Sequence, residues 1–160
     1  MEGIPASSVM ALPFRQNGVR MVNVTVWKNG PIQLKDGSTG FGLLYRKTLK
    51  EESRMLTPRK EIKGQPAVVS IGRGLTIGMG DYEFCRIDEF ISMPCNATAE
   101  EVEQTRLDVR KDVEQHIEAE RVRIKGTMPE KVAYVKAGML RLTDFDSETA
   151  AQIEAHIKPA

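Results

Sequence analysis

The alternation of apolar and polar residues predicts two β-strands in the first third of the chain. From Val19 to Lys28, valines at every second position face one side, while Asn23, Thr25 and Trp27 face the other. This period of two is typical of a half-buried strand. A second strand is predicted from Phe41 to Leu49, with an alternating set on one side that consists of Phe41, Leu43, Tyr45, Lys47 and Leu49. Turn signals between these segments predict an antiparallel hairpin with an eleven- or twelve-residue connection.

A second strand pair is predicted further along the chain. The segment from Val68 to Gly80 carries glycines at alternate positions, so one face of this strand is nearly bare backbone. Glycine in a strand often marks the close approach of another backbone or of a ligand, and tight packing of a helix against the bare face is the simpler expectation. A turn at Gly80-Asp81 leads into a strand from Glu83 to Met93, which Pro94 ends.

The remainder of the sequence predicts helices. Thr98 and Glu101 have the spacing of a capping box and predict the start of a long helix that ends near Ile124. The segment from Thr127 to Leu142 fits either a short helix ending at Gly138 or a strand, and a last helix is predicted from Thr143 onward. The polar segment 50–64, between the two strand pairs, is predicted to be a mobile loop.

Together these elements predict a single α+β domain over residues 19–160. An antiparallel sheet of four to five strands, from about Val19 to Met93, would be packed by one long helix and a short C-terminal helix. A small open barrel is one version of this architecture. Residues 1–18 contain two prolines and several apolar residues, which predicts an extended N-terminal arm that lies on this domain or on a neighbouring subunit.

Length and composition narrow the class of protein. A chain of 160 residues with 41% hydrophobic and 28% charged residues is typical of one globular domain. It has no apolar run long enough to cross a membrane. The first nine residues include Glu2 and lack a basic stretch followed by an apolar block, so no secretory signal is expected. We therefore expect a cytoplasmic protein.

The net charge of +1 conceals an asymmetry between the two halves of the chain. Residues 1–79 contain 12 lysines and arginines against 5 acids, a charge of +7, and residues 80–160 contain 11 against 17, a charge of −6. A basic, β-rich half (19–79) and an acidic half (80–160) point to two alternatives. Either the basic half faces a nucleic acid, or the two halves face each other within one chain or between subunits.

The candidate binding residues are the aromatic and basic residues of the first half. Single-stranded nucleic acid is held by a positive groove along its backbone and by aromatic rings on which bases stack. Trp27 lies opposite the valine face of its strand and is a candidate stacking ring, whereas Tyr45 and Phe41 share a face with leucines that suggest core. The full candidate set, on the hairpin, the following loop and the glycine-rich strand, comprises Arg20, Trp27, Lys28, Tyr45, Arg46, Lys47, Arg54, Arg59, Lys60, Lys63 and Arg73.

The sequence does not predict an enzyme, a metal site or a cofactor. Cys85 and Cys95 are ten residues apart and fit no zinc-ligand spacing, so two buried reduced thiols are expected. The glycines around Arg73 do not have the spacing or the strand-to-helix context of a dinucleotide-binding loop. No nucleophile, base and orienting group can be assembled.

Four short motifs carry a resemblance to a known group. They are Val69-Ser-Ile-Gly-Arg73, Gly80-Asp-Tyr-Glu83, Arg86-Ile-Asp88 and Ser92-Met-Pro-Cys95, and an acidic helix follows them. This order resembles small bacteriophage-type proteins with a strand, a G-[ND]-Y-E turn, a strand, a P-C stop and a helix, and it implies a mobile-element origin. Val24–Asn29 and Tyr45–Thr48 are similar to the strand pair of small phage and plasmid proteins that bind single-stranded DNA.

These observations lead to one leading hypothesis and two rivals. The leading hypothesis is a non-catalytic, phage-type protein that binds single-stranded nucleic acid, with DNA the expected form, through a basic, aromatic-bearing sheet face. The alternative is a virion or assembly protein, a homo-oligomer formed through the N-terminal arm and the complementary halves. A third hypothesis is an inhibitor of a host nuclease that uses its acidic helix as a nucleic-acid mimic. No small-molecule substrate is indicated.

Overall fold

The computed structural model describes residues 17–158, so the predicted arm lies almost entirely outside the described residues. The chain divides into two compact units, Met1–Glu114 and Gln115–Ala160. The sheet and the first half of the long helix belong to the first unit. The second half of that helix and the shorter helices belong to the second unit.

The first unit contains a four-stranded antiparallel sheet. The strands are β1 (Gly18–Gln33), β2 (Thr39–Leu56), β3 (Pro66–Gly80) and β4 (Glu83–Asn96), and they lie side by side in the order β2-β1-β4-β3. Two hairpins, β1–β2 and β3–β4, are therefore joined through their first and last strands. Among residues 17–158, β2 and β3 do not pair with each other, so the sheet is open and the barrel version of the prediction is wrong. The α+β architecture itself is confirmed.

The first hairpin is longer and tighter than predicted. Only five residues, 34–38, separate β1 from β2, and residues 50–56 are strand rather than loop. The sequence does not predict residues 50–56 as part of β2, because this exposed end of the strand carries charged residues on both faces and shows no apolar alternation. Two register shifts against β1 leave Leu44 and Leu49 outside the pairing as bulge residues. The single face predicted for β2 is therefore divided between the two sides of the sheet.

The two faces of the sheet differ sharply in exposure. One face, which we call the covered face, carries Val22, Val24 and Val26 of β1 next to the alternate residues of β4. Those residues of β4, Cys85, Ile87, Glu89 and Ile91, are each at most 2% exposed. The other face, which we call the open face, carries the intervening residues of the same strands, and Met21 on it is 46% exposed. Alternation along β1 and β4 thus predicts the core correctly.

The first half of helix α1 (Ala99–Lys125) lies on the covered face of the sheet. Val109 and Val113 are buried, and Arg73 on the covered face of β3 forms a 2.7 Å ion pair with Glu114. The start of the helix differs slightly from the predicted capping box. The Thr98 hydroxyl accepts the Glu101 N–H at 3.2 Å, but the Glu101 carboxylate accepts the N–H of Asn96, at 2.6 Å.

The second unit is helical. It contains the end of α1, helix α2 (Met128–Lys136), a 3-10 turn (Leu142–Asp144) and helix α3 (Ser147–Ile157). Its core is formed by Ala119, Val122 and Leu140, against which three partly buried residues pack, Tyr134, Val135 and Phe145. The segment that fitted either a helix or a strand is therefore a helix. Gly138 follows it with φ of 77°, a backbone conformation that glycine adopts without strain.

Candidate functional site

A stacked pair of aromatic rings lies on the open face, on the two central strands. Trp27 of β1 and Phe84 of β4 are directly opposite in the register, with ring centroids 5.6 Å apart and an interplanar angle of 23°. Both side chains are half-buried, so part of the pair is exposed to solvent. Phe90, six residues further along β4, lies on the same face and is also half-buried. The open face therefore offers aromatic surface at two points along its central strands.

Gly74 of β3 makes room for the Arg86 side chain of β4, and Gly72 lies beside the Phe90 ring. A Cβ atom on Gly74 would lie 2.0 Å from the Arg86 guanidinium, and one on Gly72 would lie 3.5 Å from the Phe90 ring. Arg86 lies across the edge strand, where it donates to the Thr76 hydroxyl at 3.1 Å and to Asp88 at 3.1 Å. The expectation that a helix packs on these glycines is wrong, because flat side chains of the neighbouring strand occupy that space.

The open face has two depressions that meet. The larger has a volume of about 770 Å³ and is lined, among others, by Met21, Asn23, Arg86 and Phe90. The smaller, of about 380 Å³, lies beside Trp27 and also includes Asn23 and Arg86 in its lining. Because they share these residues, the depressions form a continuous path along the strands from Trp27 to Phe90.

The charges along this path are balanced. Arg46 lies beside Trp27, directly opposite it on β2, and Arg86 lies at the junction of the two depressions. Glu51 and Asp88 contribute the acids. Arg86 is engaged by Asp88, whereas Arg46 is exposed and makes no ion pair within residues 17–158. An anionic ligand on this path could therefore meet Arg46 directly and would share Arg86 with Asp88, and the path has no strongly positive field.

Most candidate cations of the basic half pair with acids of the acidic half of the same chain. The Arg20 side chain, 12% exposed, donates to Glu89 at 2.7 Å on the covered face. Four more pairs join the halves, and all have exposed or half-exposed members. They are Lys28–Asp81 at 3.1 Å, Arg59–Asp108 at 2.6 Å, Lys60–Glu101 at 4.0 Å and Arg73–Glu114 at 2.7 Å. The alternative in which the two halves face each other is thus realised within one chain at these five cations.

The remaining candidates lie away from the open face. Tyr45, Lys47 and Arg54 point to the covered side of the edge strand β2, and the Tyr45 hydroxyl donates to the Glu83 carboxylate. This hydrogen bond raises the pKa of Tyr45 above its ordinary value. Lys63 follows β2 in the connecting segment, and its backbone N–H donates to the Asn96 side chain. Of the eleven candidates, only Trp27 and Arg46 lie on the open face.

Three residues of the open face were not among the candidates: Phe84, Arg86 and Phe90. The three residues occupy even-numbered positions of β4, so the sequence alone shows that they lie on one face of that strand. Their proximity to Trp27 depends on β4 being the neighbour of β1, a long-range pairing that periodicity does not indicate. The prediction of Tyr45 and Phe41 as core residues is also wrong, since they are 40% and 58% exposed. The bulge at Leu44 moves Phe41 to the open face, whereas Tyr45 stays on the covered side but lies on the exposed edge strand.

Further findings concern the class of protein. Within residues 17–158, no three acids, histidines or cysteines are grouped so that they could hold a metal ion. The same residues include no helix that is long and apolar enough to cross a membrane. Comparisons with protein-family models, with curated proteins and with solved structures found no match.

Proposed function

We propose that this protein binds single-stranded nucleic acid along the open face. Bases would stack on the exposed side of the Trp27–Phe84 pair and on Phe90, while Arg46 and Arg86 contact phosphates. The observation that carries this proposal is the stacked pair on the central strands, beside a depression that Arg46 and Arg86 also line. Four-stranded sheets with aromatic residues on their exposed face are a recurrent platform for single strands, because every base has a π-face.

The placement of the cations changes the expected character of the interaction. The nine lysines and arginines among the sequence candidates would give a salt slope of about −6, at about −0.7 per phosphate contact for single strands. With Arg46 and Arg86 as the only phosphate contacts, the expected slope is about −1.4. The proposal therefore describes binding dominated by stacking, with a weak dependence on salt concentration.

Fluorescence titration with labelled oligonucleotides tests the proposal. Trp27 is the only tryptophan of the chain, so its emission reports directly on stacking. Trp27→Ala should weaken binding about 5- to 150-fold, which corresponds to the roughly 1–3 kcal/mol that stacking contributes per base. Circular dichroism would verify that the variant retains its fold.

Two adjacent residues of β2 offer a matched control. Arg46 and Lys47 are both exposed cations, but Arg46 lies on the open face and Lys47 on the other side. Arg46→Gln should weaken binding and reduce the salt slope by about 0.7, whereas Lys47→Gln should change neither. Equal effects of the two substitutions, or no binding by the natural sequence at low salt, would contradict the proposal.

A second candidate function, an assembly protein, is favoured by the exposed end of the sheet. There Phe41 and Tyr82 are 58% and 61% exposed, and their rings meet edge to face at 5.0 Å. Leu43 beside them is 54% exposed. A cluster of large exposed apolar residues often marks a protein interface. Light scattering tests this function, since a protein that stays monomeric and binds oligonucleotides would exclude it.

A further inference from the structure

The two edges of the sheet differ in how they are protected against pairing with another chain. An edge strand presents unpaired backbone groups, and proteins usually protect it with charged side chains and bulges. The edge strand β2 has both devices, with six charged residues and two register shifts against β1. This edge is therefore blocked against a regular partner strand.

The opposite edge, β3, has almost no such protection. Arg73 is the one charged residue among its fifteen, and its guanidinium is turned to the covered side, where it pairs with Glu114 at 2.7 Å. The register of β3 with β4 is regular from Pro66 to Gly78. Val68 is 58% exposed, and Ser70, Gly72 and Thr76 are exposed as well. Between Val68 and Thr76 the edge is long and regular, and Arg73 is the one charged side chain of the strand itself. The Arg86 guanidinium of β4 lies over its open face, where Asp88 pairs with it.

We infer that β3 pairs with β3 of a second copy of this chain, antiparallel about a two-fold axis. The inference is independent of nucleic-acid binding. With the axis at Gly72, Val69 faces Leu75 of the other copy on the covered side, and Val68 faces Thr76 on the open side. Opposite residues then lie on the same face, as antiparallel pairing requires. The two Arg73 side chains are not opposite each other in this register, so the partner strand meets no like-charge pair.

The charge of the whole chain favours a second copy as the partner. The net charge is +1, so two copies approach each other with little repulsion. Antiparallel pairing about a two-fold is isologous, meaning that the same strand serves on both subunits and the assembly closes at a dimer. The product is a continuous eight-stranded sheet with both open faces on one side.

The test is the mass in solution of the full chain and of two charge-matched variants. Val68→Lys/Ser70→Lys adds two charges to the exposed side of the β3 edge, and Ser53→Lys/Met55→Lys adds the same charge to β2 at exposed positions. Multi-angle light scattering should give twice 17.9 kDa for the natural sequence and for the β2 variant. It should give 17.9 kDa for the β3 variant.

Three results would overturn the inference: a monomeric natural sequence, a β3 variant that remains dimeric, and equal dissociation of both variants.

Hydrogen exchange of the natural sequence provides a measurement that does not depend on a variant folding. Amides of residues 68–76 should become better protected as protein concentration rises, while those of β2 should not change. Concentration-independent exchange along β3 would also contradict the pairing.

Discussion

The buried ion pair between Arg20 and Glu89 allows the strongest prediction about stability. The Glu89 side chain has no solvent exposure, the Arg20 side chain is 12% exposed, and the Nε–Oε1 distance is 2.7 Å. Arg20→Met would remove the positive charge that lies 2.7 Å from a carboxylate without solvent exposure. Breaking such a pair from one side typically costs about 3–5 kcal/mol.

The neighbouring strand refines this magnitude. Arg54 is directly opposite Arg20 in the β1–β2 register, so Arg20→Met also removes a like-charge neighbour. We therefore expect a loss near the lower end of the range, about 3 kcal/mol. With a urea dependence of about 2 kcal/mol per molar, the unfolding midpoint should fall by about 1.5 M.

Urea unfolding followed by Trp27 fluorescence measures this loss, because Trp27 lies in the same sheet as the ion pair. The double variant Arg20→Met/Glu89→Met should recover much of the lost stability, since replacing a buried pair by apolar residues is often neutral or stabilising. A loss below about 1 kcal/mol for Arg20→Met would refute the reasoning, because that is the value of an exposed salt bridge.

Two further predictions concern the capping box of α2 in the second unit. The Thr127 hydroxyl accepts the Glu130 N–H at 3.3 Å, so Thr127→Ala should lower the free energy of unfolding by about 1 kcal/mol. Thermal unfolding followed by circular dichroism measures this loss. Thr143→Ala, at an exposed position outside the capping box, is the control and should cost less. Hydrogen bonds from the Thr127 N–H and then from the Arg121 guanidinium lower the pKa of Glu130. The Glu130 carboxylate therefore stabilises the fold above the ordinary carboxyl pKa of 4.5, and this contribution is lost as the pH falls below that value. Glu130→Gln should therefore flatten the dependence of the melting temperature on pH below 4.5, and an unchanged acid limb would contradict this assignment.

Local patterns predicted the elements well because burial imposes a period on the sequence. The valines of β1 and the alternate apolar residues of β4 occupy the covered face as expected, and the long helix begins and ends within one residue of its predicted limits. The end of β2 was missed because an exposed edge strand has no buried face to impose alternation. Its bulges at Leu44 and Leu49 are register features, which depend on the partner strand rather than on the segment itself.

The candidate site was only partly predictable, for a related reason. Trp27 was identified correctly as lying opposite the valine face, since that follows from the alternation of one strand. The residues beside it on β4, Phe84 and Arg86, became neighbours only through the β1–β4 pairing, which joins segments more than fifty residues apart. A list of cations from one stretch of sequence contains no such information, so it combined residues from opposite faces of the sheet.

The charge asymmetry of the sequence acquires a specific physical meaning in this fold. Each of the five paired cations lies before residue 80 and its acid lies after it. The cations lie on β1, in the segment between β2 and β3, and on β3, and their acids lie on β4, in the turn before it and on helix α1. Charge that is neutralised in this way contributes little to an external field beyond a Debye length of about 8 Å at physiological salt. Within residues 17–158, the cation of the open face without an ion pair is Arg46, beside the aromatic pair, while Arg86 is paired with Asp88 at 3.1 Å. If the open face binds a single strand as proposed, its affinity would therefore depend on ring stacking and shape, and charge would set only the position of the bound strand.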